Sequence, residues 1–227
     1  GFSADDAGIG DLTDKTVVAW DVEDEEGLEA FYAEHYPGTA IEFQQLSTPP
    51  THPDPPTGIV ALSQRDSAWA GDQLGGTVYT IGSAGCAMVS ACMEATLVEP
   101  GLRPDALNRW LTDNGGYTSG GRLYWSKVAE RVDGLEFVSY HKWPDTPADM
   151  AMVRAELTEG PAIVQVDFRP GGALDTHFVL GLSIVGEDMA IIDPWDGQQK
   201  LLLDAYGEEG WTLERAIYAL ARYKVTR

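Results

Sequence analysis

The sequence predicts an α+β protein with one main domain and a small N-terminal appendage. Helix-like patterns dominate residues 86–158, and strand-like apolar runs dominate residues 161–225. A run of helices followed by a run of strands is typical of folds in which a helical half packs against an antiparallel sheet. A proline-rich stretch separates this main part from the start of the chain.

The start of the chain predicts a strand–helix–strand unit of the βαβ type. The segment "TVVAWDV" (16–22) has the composition of a strand. The segment "EDEEGLEAFYAEHYPG" (23–38) predicts a helix, with acidic residues in its first turn and a Pro-Gly stop. The segment "TAIEFQQL" (39–46) alternates between apolar and polar residues as a second strand does.

A connector follows this unit. Residues 47–58 hold five prolines in twelve positions, which predicts an extended, semi-rigid chain. We therefore expect an appendage with its connector over residues 1–57 and a single domain over residues 58–227. In that domain the predicted helices are 86–98, 104–112, 123–131 and 147–158, with a short turn or helix at 212–216. The predicted strands are 134–140, 161–168, 177–185, 189–193, 200–204 and 217–225.

Composition and charge narrow the range of partners. Hydrophobic residues make up 44% of the 227 positions, so the chain can bury a sizeable core. Fifteen Lys and Arg stand against 36 Asp and Glu, a net charge of −21, which disfavours nucleic acid and anionic membranes as partners. The acidic surplus fits solubility, a saline habitat or a cationic substrate, and charge alone does not choose among them. No apolar run of about 18 residues predicts a membrane span.

The two cysteines, Cys86 and Cys92, are too few for a disulfide framework. If both lie on one helix, they are about 9 Å apart along its axis, whereas a disulfide needs Cα atoms within about 7 Å. A disulfide between them is therefore disfavoured. Neither H-x-x-x-H nor C-x-x-C spacing occurs, so we expect no metal site and no cofactor. The four histidines are His35, His52, His141 and His177.

Cys86 lies in "GSAGCAMVSACM", at the junction between a glycine-rich turn and a predicted helix. Glycines allow a tight turn and a close approach of backbone N–H groups to a ligand. A helix that begins here directs its unpaired N–H groups and the positive end of its dipole at the sulfur, which favours a reactive thiolate. The same small apolar surroundings also suit an ordinary core cysteine, so this stretch alone leaves both interpretations open.

The second half of the chain contains the partners that a nucleophilic thiol needs. His177 opens an apolar strand, and Asp193 closes the next strand sixteen residues later. A hairpin at "VGED" (185–188) would bring them together at one end of the sheet. Cys86, His177 and Asp193 would then be nucleophile, general acid and base, and orienting group. Gln64, in "LSQRDSAW", adds a side-chain amide that can help the Cys86 N–H bind an oxyanion.

Each of these residues has an ordinary structural explanation when taken alone: a strand-end histidine, a turn-initiating Asp-Pro and a polar loop glutamine. The order Cys, His, Asp makes the catalytic interpretation stronger than any single motif does. Asp175 and Asp196 are weaker candidates for the orienting group, because Asp175 lies only two residues before His177 and Asp196 lies in a turn beyond Pro194. A serine hydrolase is disfavoured because "IGSAG" does not match G-x-S-x-G.

Six segments of the main domain together form a recognisable set. They are "SQRDSAWAGDQLGG", "TIGSAGCAMVSACM", "LNRWLTDNGGYTSGGRLYW", "EGPAIVQVDF", "HFVLGLSIVGEDMAIIDPW" and "AIYALARY". With these segments the chain resembles the papain-like cysteine peptidases, in the branch related to double-glycine leader (bacteriocin-processing) peptidases and their phage and bacterial relatives. The resemblance spans about residues 58–227 and implies a papain-like fold with a cleft between its helical and sheet halves. It also implies Cys86 as nucleophile, His177 as base, Asp193 as orienting residue and Gln64 as oxyanion-hole residue.

The chain departs from the simplest papain-like pattern in two places. Gln64 lies 22 residues before Cys86, farther than in that pattern, so the intervening segment must fold back. The nucleophile is followed by Ala87, where glycine is common in the branch. No segment of residues 1–57 matches the family.

Two functional hypotheses follow. The first is a cysteine peptidase or amidase that hydrolyses peptide bonds in a leader peptide, a free peptide or a cell-wall (peptidoglycan) peptide. The second is a non-catalytic binding or assembly module on the same fold, as part of a phage particle or a multidomain surface protein. The presence of Cys86, His177 and Asp193 together favours the first. The oligomeric state stays open, and a secreted, surface or virion-associated setting is favoured over the cytoplasm.

Overall fold

A computed structural model describes residues 16–20, 33, 40–44 and 58–226. The chain divides into two units, Gly1–Thr51 and His52–Arg227. The boundary that the sequence suggests after residue 57 stays a prediction. Within the described ranges, no helix is long and apolar enough to cross a membrane.

Two strands of the first unit are described, β1 (Thr16–Trp20) and β2 (Ala40–Gln44), and they pair in parallel. Both agree with the strand patterns predicted there. Parallel neighbours need a crossover connection. The helix predicted for that connection, residues 23–38, lies outside the described residues apart from Ala33, which is helical.

The second unit contains a six-stranded sheet and seven described helices. Its strands are β3 (Leu135–Lys142), β4 (Ala162–Asp167), β5 (Thr176–Val185), β6 (Asp188–Asp193), β7 (Gln198–Leu201) and β8 (Ala219–Val225). Its helices are α1 (Ile81–Ala84), α2 (Cys86–Ala95), α3 (Pro104–Asp113), α4 (Trp125–Arg131), α5 (Met150–Glu159), α6 (Leu202–Tyr206) and α7 (Leu213–Ala216). The strand order is β3-β8-β4-β5-β6-β7, and every neighbouring pair is antiparallel. The predicted α+β class, with helices packed on an antiparallel sheet, is confirmed.

One element prediction was wrong. Residues 200–204 were expected to form a strand, but β7 ends at Leu201 and the next five residues form α6. Leu202 and Tyr206 are both buried and lie four residues apart, so a helix turns both side chains toward the core. A short apolar run fits a buried strand or a buried helix equally well in sequence, and here tertiary packing selects the helix.

Both faces of the sheet are covered, which explains its nearly continuous apolar strands. Ile163 belongs to the core cluster that contains the buried side chains of α2, α3 and α4, whereas Val164 belongs to the cluster of α5, α6 and α7. In β5, Leu180 and Val179 divide between the two clusters in the same way. Because successive side chains of a strand point to opposite faces, a strand buried on both sides has no polar alternation.

Candidate active site

Cys86 is the first residue of α2 and follows the one-turn helix α1 through a single glycine, Gly85. The Gly85 N–H donates to the Ile81 carbonyl at 2.8 Å. A Cβ at Gly85 would lie 2.5 Å from that carbonyl oxygen, so the junction accepts no side chain. Because the first N–H groups of a helix have no intrahelical acceptor, this close junction leaves the Cys86 N–H available to a ligand beside its own sulfur.

A hydrogen bond between side chain and backbone fixes the start of α2 beside the start of β5. The Ser90 hydroxyl, one turn after Cys86, donates to the Phe178 carbonyl at 3.2 Å. Phe178 directly follows His177. The contact therefore brings the N-terminal turn of α2 next to the strand residue that carries the imidazole.

His177 and Asp193 meet at one end of the sheet, as the hairpin pattern predicts. His177 is the second residue of β5 and Asp193 is the last residue of β6. The two strands are joined by a tight turn in which Gly186 has a φ of +61°. His177 Nε2 lies 2.9 Å from Asp193 Oδ1, and the two side chains are 4% and 0% exposed.

Asp193 accepts three further hydrogen bonds, which the sequence analysis missed. Lys200 Nζ lies 2.6 Å from its Oδ2, the Tyr206 hydroxyl donates to the same oxygen, and the Trp195 N–H donates to Oδ1 at 2.9 Å. Burial alone would raise the pKa of Asp193, but its hydrogen-bond donors, His177 first among them, outweigh burial and hold that pKa well below its usual range. Asp193 is therefore a fixed, ionised acceptor for the imidazole.

His177 and Cys86 line the same cleft, and the Cys86 sulfur is close enough to raise the pKa of the imidazole. Since Nε2 faces Asp193, the ring nitrogen left for the thiol is Nδ1. Burial opposes a charged imidazole, but the hydrogen bond to Asp193 and the nearby Cys86 sulfur outweigh it and raise the pKa of His177 to about 9. The Phe168 and Tyr206 rings, centred 5.0 and 5.3 Å from the imidazole, shield it from water.

Gln64 faces the same cleft as Cys86. It is 2% exposed, and its backbone N–H donates to the Pro194 carbonyl at 2.6 Å, next to Asp193 in the chain. Its Nε2 donates to the Gly82 carbonyl at 3.0 Å, four residues before Cys86. An amide nitrogen carries two hydrogens, so this bond orients the group and leaves a second hydrogen for a ligand.

The segment between Gln64 and Cys86 folds back on itself, as the sequence requires. Gln73 and Thr80 form an isolated antiparallel bridge. The Gly82 N–H then donates to the Ala70 carbonyl at 2.9 Å. The insertion is thus closed by its own backbone hydrogen bonds, and the 22-residue separation does not keep Gln64 from the cleft.

The weaker candidates pair with side chains other than His177. Asp175 pairs with Arg169 at 2.9 Å and is half exposed, and Asp196 pairs with Lys200 at 2.7 Å. Neither carboxylate is the one that contacts His177. Cys86 and Cys92 are both free thiols, so the disulfide disfavoured from spacing is not formed. Cys92 is fully buried, and this burial raises the pKa of its thiol far above the ordinary value.

Cys86, His177 and Gln64 line a cleft of about 750 Å³, large enough for several residues of a peptide. Other parts of its walls are formed by aromatic and cationic side chains from the loop before α4 and its first residue, from β3, and from the residues that follow β4. Among the residues that the structure describes, no three His, Cys, Asp or Glu side chains are grouped closely enough to hold a metal ion.

Comparison with solved structures finds similar proteins. No protein-family model matches the chain, and no curated protein matches it. The chain is similar to a crystal structure of a double glycine motif protease from an AMS/PCAT transporter in complex with the leader peptide. The two share 17% identity, the match covers 74% of this chain and 92% of the other, and the TM-score is 0.45.

Proposed function

We propose that this protein is a papain-like cysteine peptidase or amidase that hydrolyses peptide bonds through Cys86, His177 and Asp193. One observation carries the proposal: a buried imidazole has its Nε2 2.9 Å from a buried carboxylate and shares one cleft with a thiol at a helix N-terminus. A nucleophile, a base and an orienting group in this geometry constitute the machinery of nucleophilic acyl transfer. Cys86 and His177 both line one open cleft, as a reaction with a polymer requires.

In the first half of the reaction, the Cys86 thiolate attacks the carbonyl carbon of the scissile bond. A His177 pKa of about 9 favours the imidazolium at neutral pH, and a cation beside a thiol favours the thiolate form that acts as the nucleophile. Negative charge develops on the carbonyl oxygen as the C–S bond forms. The Cys86 N–H and the second Gln64 Nε2 hydrogen are the donors for that oxyanion.

The intermediate collapses when His177 gives its Nδ1 proton to the leaving amine, which breaks the C–N bond and leaves a thioester on Cys86. Water then gives a proton to His177 and attacks the thioester carbonyl. Collapse of this second intermediate releases the carboxylic acid and regenerates the thiolate and imidazolium. Every step uses protein groups and water, with no cofactor or metal.

The substrate in this proposal is a peptide. A leader peptide and a cell-wall peptide are the two classes that the sequence resemblance favours.

The test is a digest of a synthetic peptide library and of purified peptidoglycan, followed by mass spectrometry. We expect cleavage by the wild-type chain and none by Cys86→Ala, which removes a sulfur without adding bulk. Cleavage that persists in Cys86→Ala would identify another nucleophile.

Thiol reactivity tests the same proposal without a substrate. Iodoacetamide at pH 6 should label Cys86 faster than a free thiol and leave Cys92 unlabelled, since Cys92 is buried and its thiol pKa is raised. Peptide mapping assigns each label. A Cys86 that reacts no faster than a free thiol contradicts the catalytic role and favours a non-catalytic binding module.

A further inference from the structure

The cleft beside Cys86 is lined by uncompensated cations, although the chain as a whole has a net charge of −21. Apart from Cys86 and His177, the ionic side chains that line it among the described residues are Arg122, Lys142, Arg169 and Asp175. Arg169 and Asp175 pair with each other at 2.9 Å, so their charges largely cancel. Arg122 and Lys142 remain, and within the described part of the chain neither forms an ion pair.

Arg122 and Lys142 come from different elements and line the cleft together with Tyr140. Lys142, the last residue of β3, has its Nζ 5.3 Å from the centre of the Tyr140 ring. Arg122 lies in the loop before α4, and its charge opposes the rise in the pKa of Tyr140. Burial raises the pKa of Tyr140 and the Arg122 charge opposes only part of that rise, so the hydroxyl stays a proton donor at neutral pH. The cluster thus offers a guanidinium, an ammonium and a phenol O–H.

This cluster is connected to the catalytic residues through Trp125. The Trp125 ring lies 5.6 Å from the Tyr140 ring and 5.5 Å from the Phe178 ring, measured between centroids. Phe178 directly follows His177. Cys86, Trp125 and Tyr140 all line the same cleft. A peptide bound along this cleft can therefore present one side chain to the cluster while its scissile bond lies at Cys86.

We propose that Arg122, Lys142 and Tyr140 form a subsite that selects an acidic side chain, Asp or Glu, in the peptide that Cys86 cleaves. The inference rests on the proposed peptidase activity. A carboxylate is the group that two cations and an O–H donor bind best, through charge-assisted hydrogen bonds. A basic substrate side chain would instead face two like charges, which supplies the repulsive part of specificity. The acidic surface repels polyanions such as nucleic acid, so the subsite suits one carboxylate and not a phosphate backbone.

The test uses synthetic peptides of one sequence that the library digest shows to be cleaved. Each position within four residues of the scissile bond carries in turn Glu, Gln or Lys, and kcat/KM is measured by mass spectrometry. At one of these positions we expect kcat/KM for the Glu peptide to exceed that for the Gln peptide by about tenfold. The Lys peptide should have the lowest kcat/KM. The preference should shrink as NaCl is raised, because salt screens exposed charges.

The double variant Arg122→Gln/Lys142→Gln should bring the ratio of kcat/KM for the Glu peptide to that for the Gln peptide to about one. The matched control is Arg154→Gln/Lys224→Gln, which removes one exposed arginine and one exposed lysine outside the cleft. This control should keep the full preference. Far-ultraviolet circular dichroism and thermal melting check that both variants fold, and each single variant should lose part of the preference.

The outcomes separate the two proposals. A Glu-to-Gln ratio near one at every position, or a preference that survives in Arg122→Gln/Lys142→Gln, overturns the subsite and leaves the peptidase standing. An absence of Cys86-dependent cleavage of any peptide overturns the peptidase. The subsite is then decided by calorimetry on Cys86→Ala with pairs of library peptides that differ only in Glu or Gln, where equal affinities overturn it and tighter binding of the Glu peptides supports it.

Discussion

Lys200 Nζ lies 2.6 Å from Asp193 Oδ2, the oxygen that faces away from His177. Asp193 is fully buried, so an ionised carboxylate at this position needs a donor for each lone pair that water would otherwise satisfy. Lys200 also pairs with Asp196 at the surface, which fixes the direction of its ammonium group. Lys200 therefore positions Asp193, and Asp193 orients the imidazole.

Replacing Lys200 tests this relationship. Lys200→Met should lower kcat several-fold with little change in KM, since Lys200 does not line the cleft that holds Cys86. It should also lower the free energy of unfolding at pH 7 by about 1–3 kcal/mol, because a buried carboxylate loses one charged donor. The depressed pKa of Asp193 contributes stability above about pH 4 that is lost at lower pH, so the difference between variant and wild type should close on acidification.

Two variants serve as controls for Lys200→Met. Lys200→Arg keeps a cation and should restore most of kcat, whereas Asp196→Asn removes only the surface partner and should leave kcat near wild type. Urea unfolding at several pH values, combined with steady-state kinetics, measures both effects. A Lys200→Met variant whose kcat and free energy of unfolding at pH 7 equal those of wild type contradicts the positioning role.

The pH dependence of His177 provides the second prediction. Its pKa of about 9 lies above the unfolded value of about 6.5, so its stabilising contribution is complete below pH 6.5 and is lost as pH rises through 9. Activity should fall along an alkaline limb near pH 9, because the neutral imidazole cannot protonate the leaving amine. In urea unfolding, the free energy of unfolding of the wild type should fall by up to about 3 kcal/mol between pH 6 and pH 10. The same loss should be missing in His177→Gln.

Nuclear magnetic resonance titration of the His177 ring measures the same pKa directly. In Cys86→Ala the pKa of His177 should decrease, because one of the two side-chain partners that raise it is gone. In Asp193→Ala the decrease in the His177 pKa should be larger, since Asp193 raises that pKa more than Cys86 does. A His177 ring that titrates near 6.5 in the wild-type chain contradicts the ion-pair mechanism.

Gln64 provides a prediction about the oxyanion. Gln64→Ala should lower kcat by about 10²–10³-fold with a small effect on KM, because the amide donor acts on charge that develops in the transition state. Gln64→Glu, which keeps the shape and replaces the NH₂ with an oxygen, should be equally impaired. Iodoacetamide labelling of Cys86 should be unchanged in both variants, since alkylation forms no oxyanion. A variant that loses labelling together with turnover indicates a displaced Cys86 and argues against the oxyanion role.

Gly85 provides a prediction about the start of α2. Gly85→Ala places a Cβ 2.5 Å from the Ile81 carbonyl oxygen, so the junction must shift, and we expect a destabilisation of about 2 kcal/mol with slower labelling of Cys86. Gly76→Ala is the matched control because no atom lies within 4 Å of its Cβ position. Thermal melting and the labelling rate measure the two effects. Equal melting temperatures for the two variants contradict the packing argument.

Local sequence signals account for much of the site. The hairpin between β5 and β6 is visible in the sequence because two apolar runs flank a turn with glycine, and register then brings His177 close to Asp193. Cys86 is marked by the glycines before it and the helix after it. The catalytic roles of these residues stay predictions until the variants are measured.

Other parts of the site lacked a local signal. Lys200 lies in "QQKLLLD" and is the one charged residue of its strand. Strand periodicity does not indicate which carboxylate a lysine at this position pairs with. Tyr206 reaches Asp193 only because residues 202–206 turn into a helix, and that short apolar run predicted a strand. The net charge left a cationic substrate open as one of three interpretations, whereas the cations Arg122 and Lys142 line the cleft.

The sequence by itself determined the order of helices and strands apart from α1 and α6, the free thiol at a helix start, and the two strand ends that carry an imidazole and a carboxylate. These follow from periodicity, turn residues and spacing, which act over a few neighbouring residues. Only the tertiary structure decided which donors surround Asp193, how Gln64 returns to the cleft across 22 residues, and where the scarce cations lie. Those features depend on contacts between segments far apart in the chain, and their free energies arise from burial and electrostatics that no local pattern encodes.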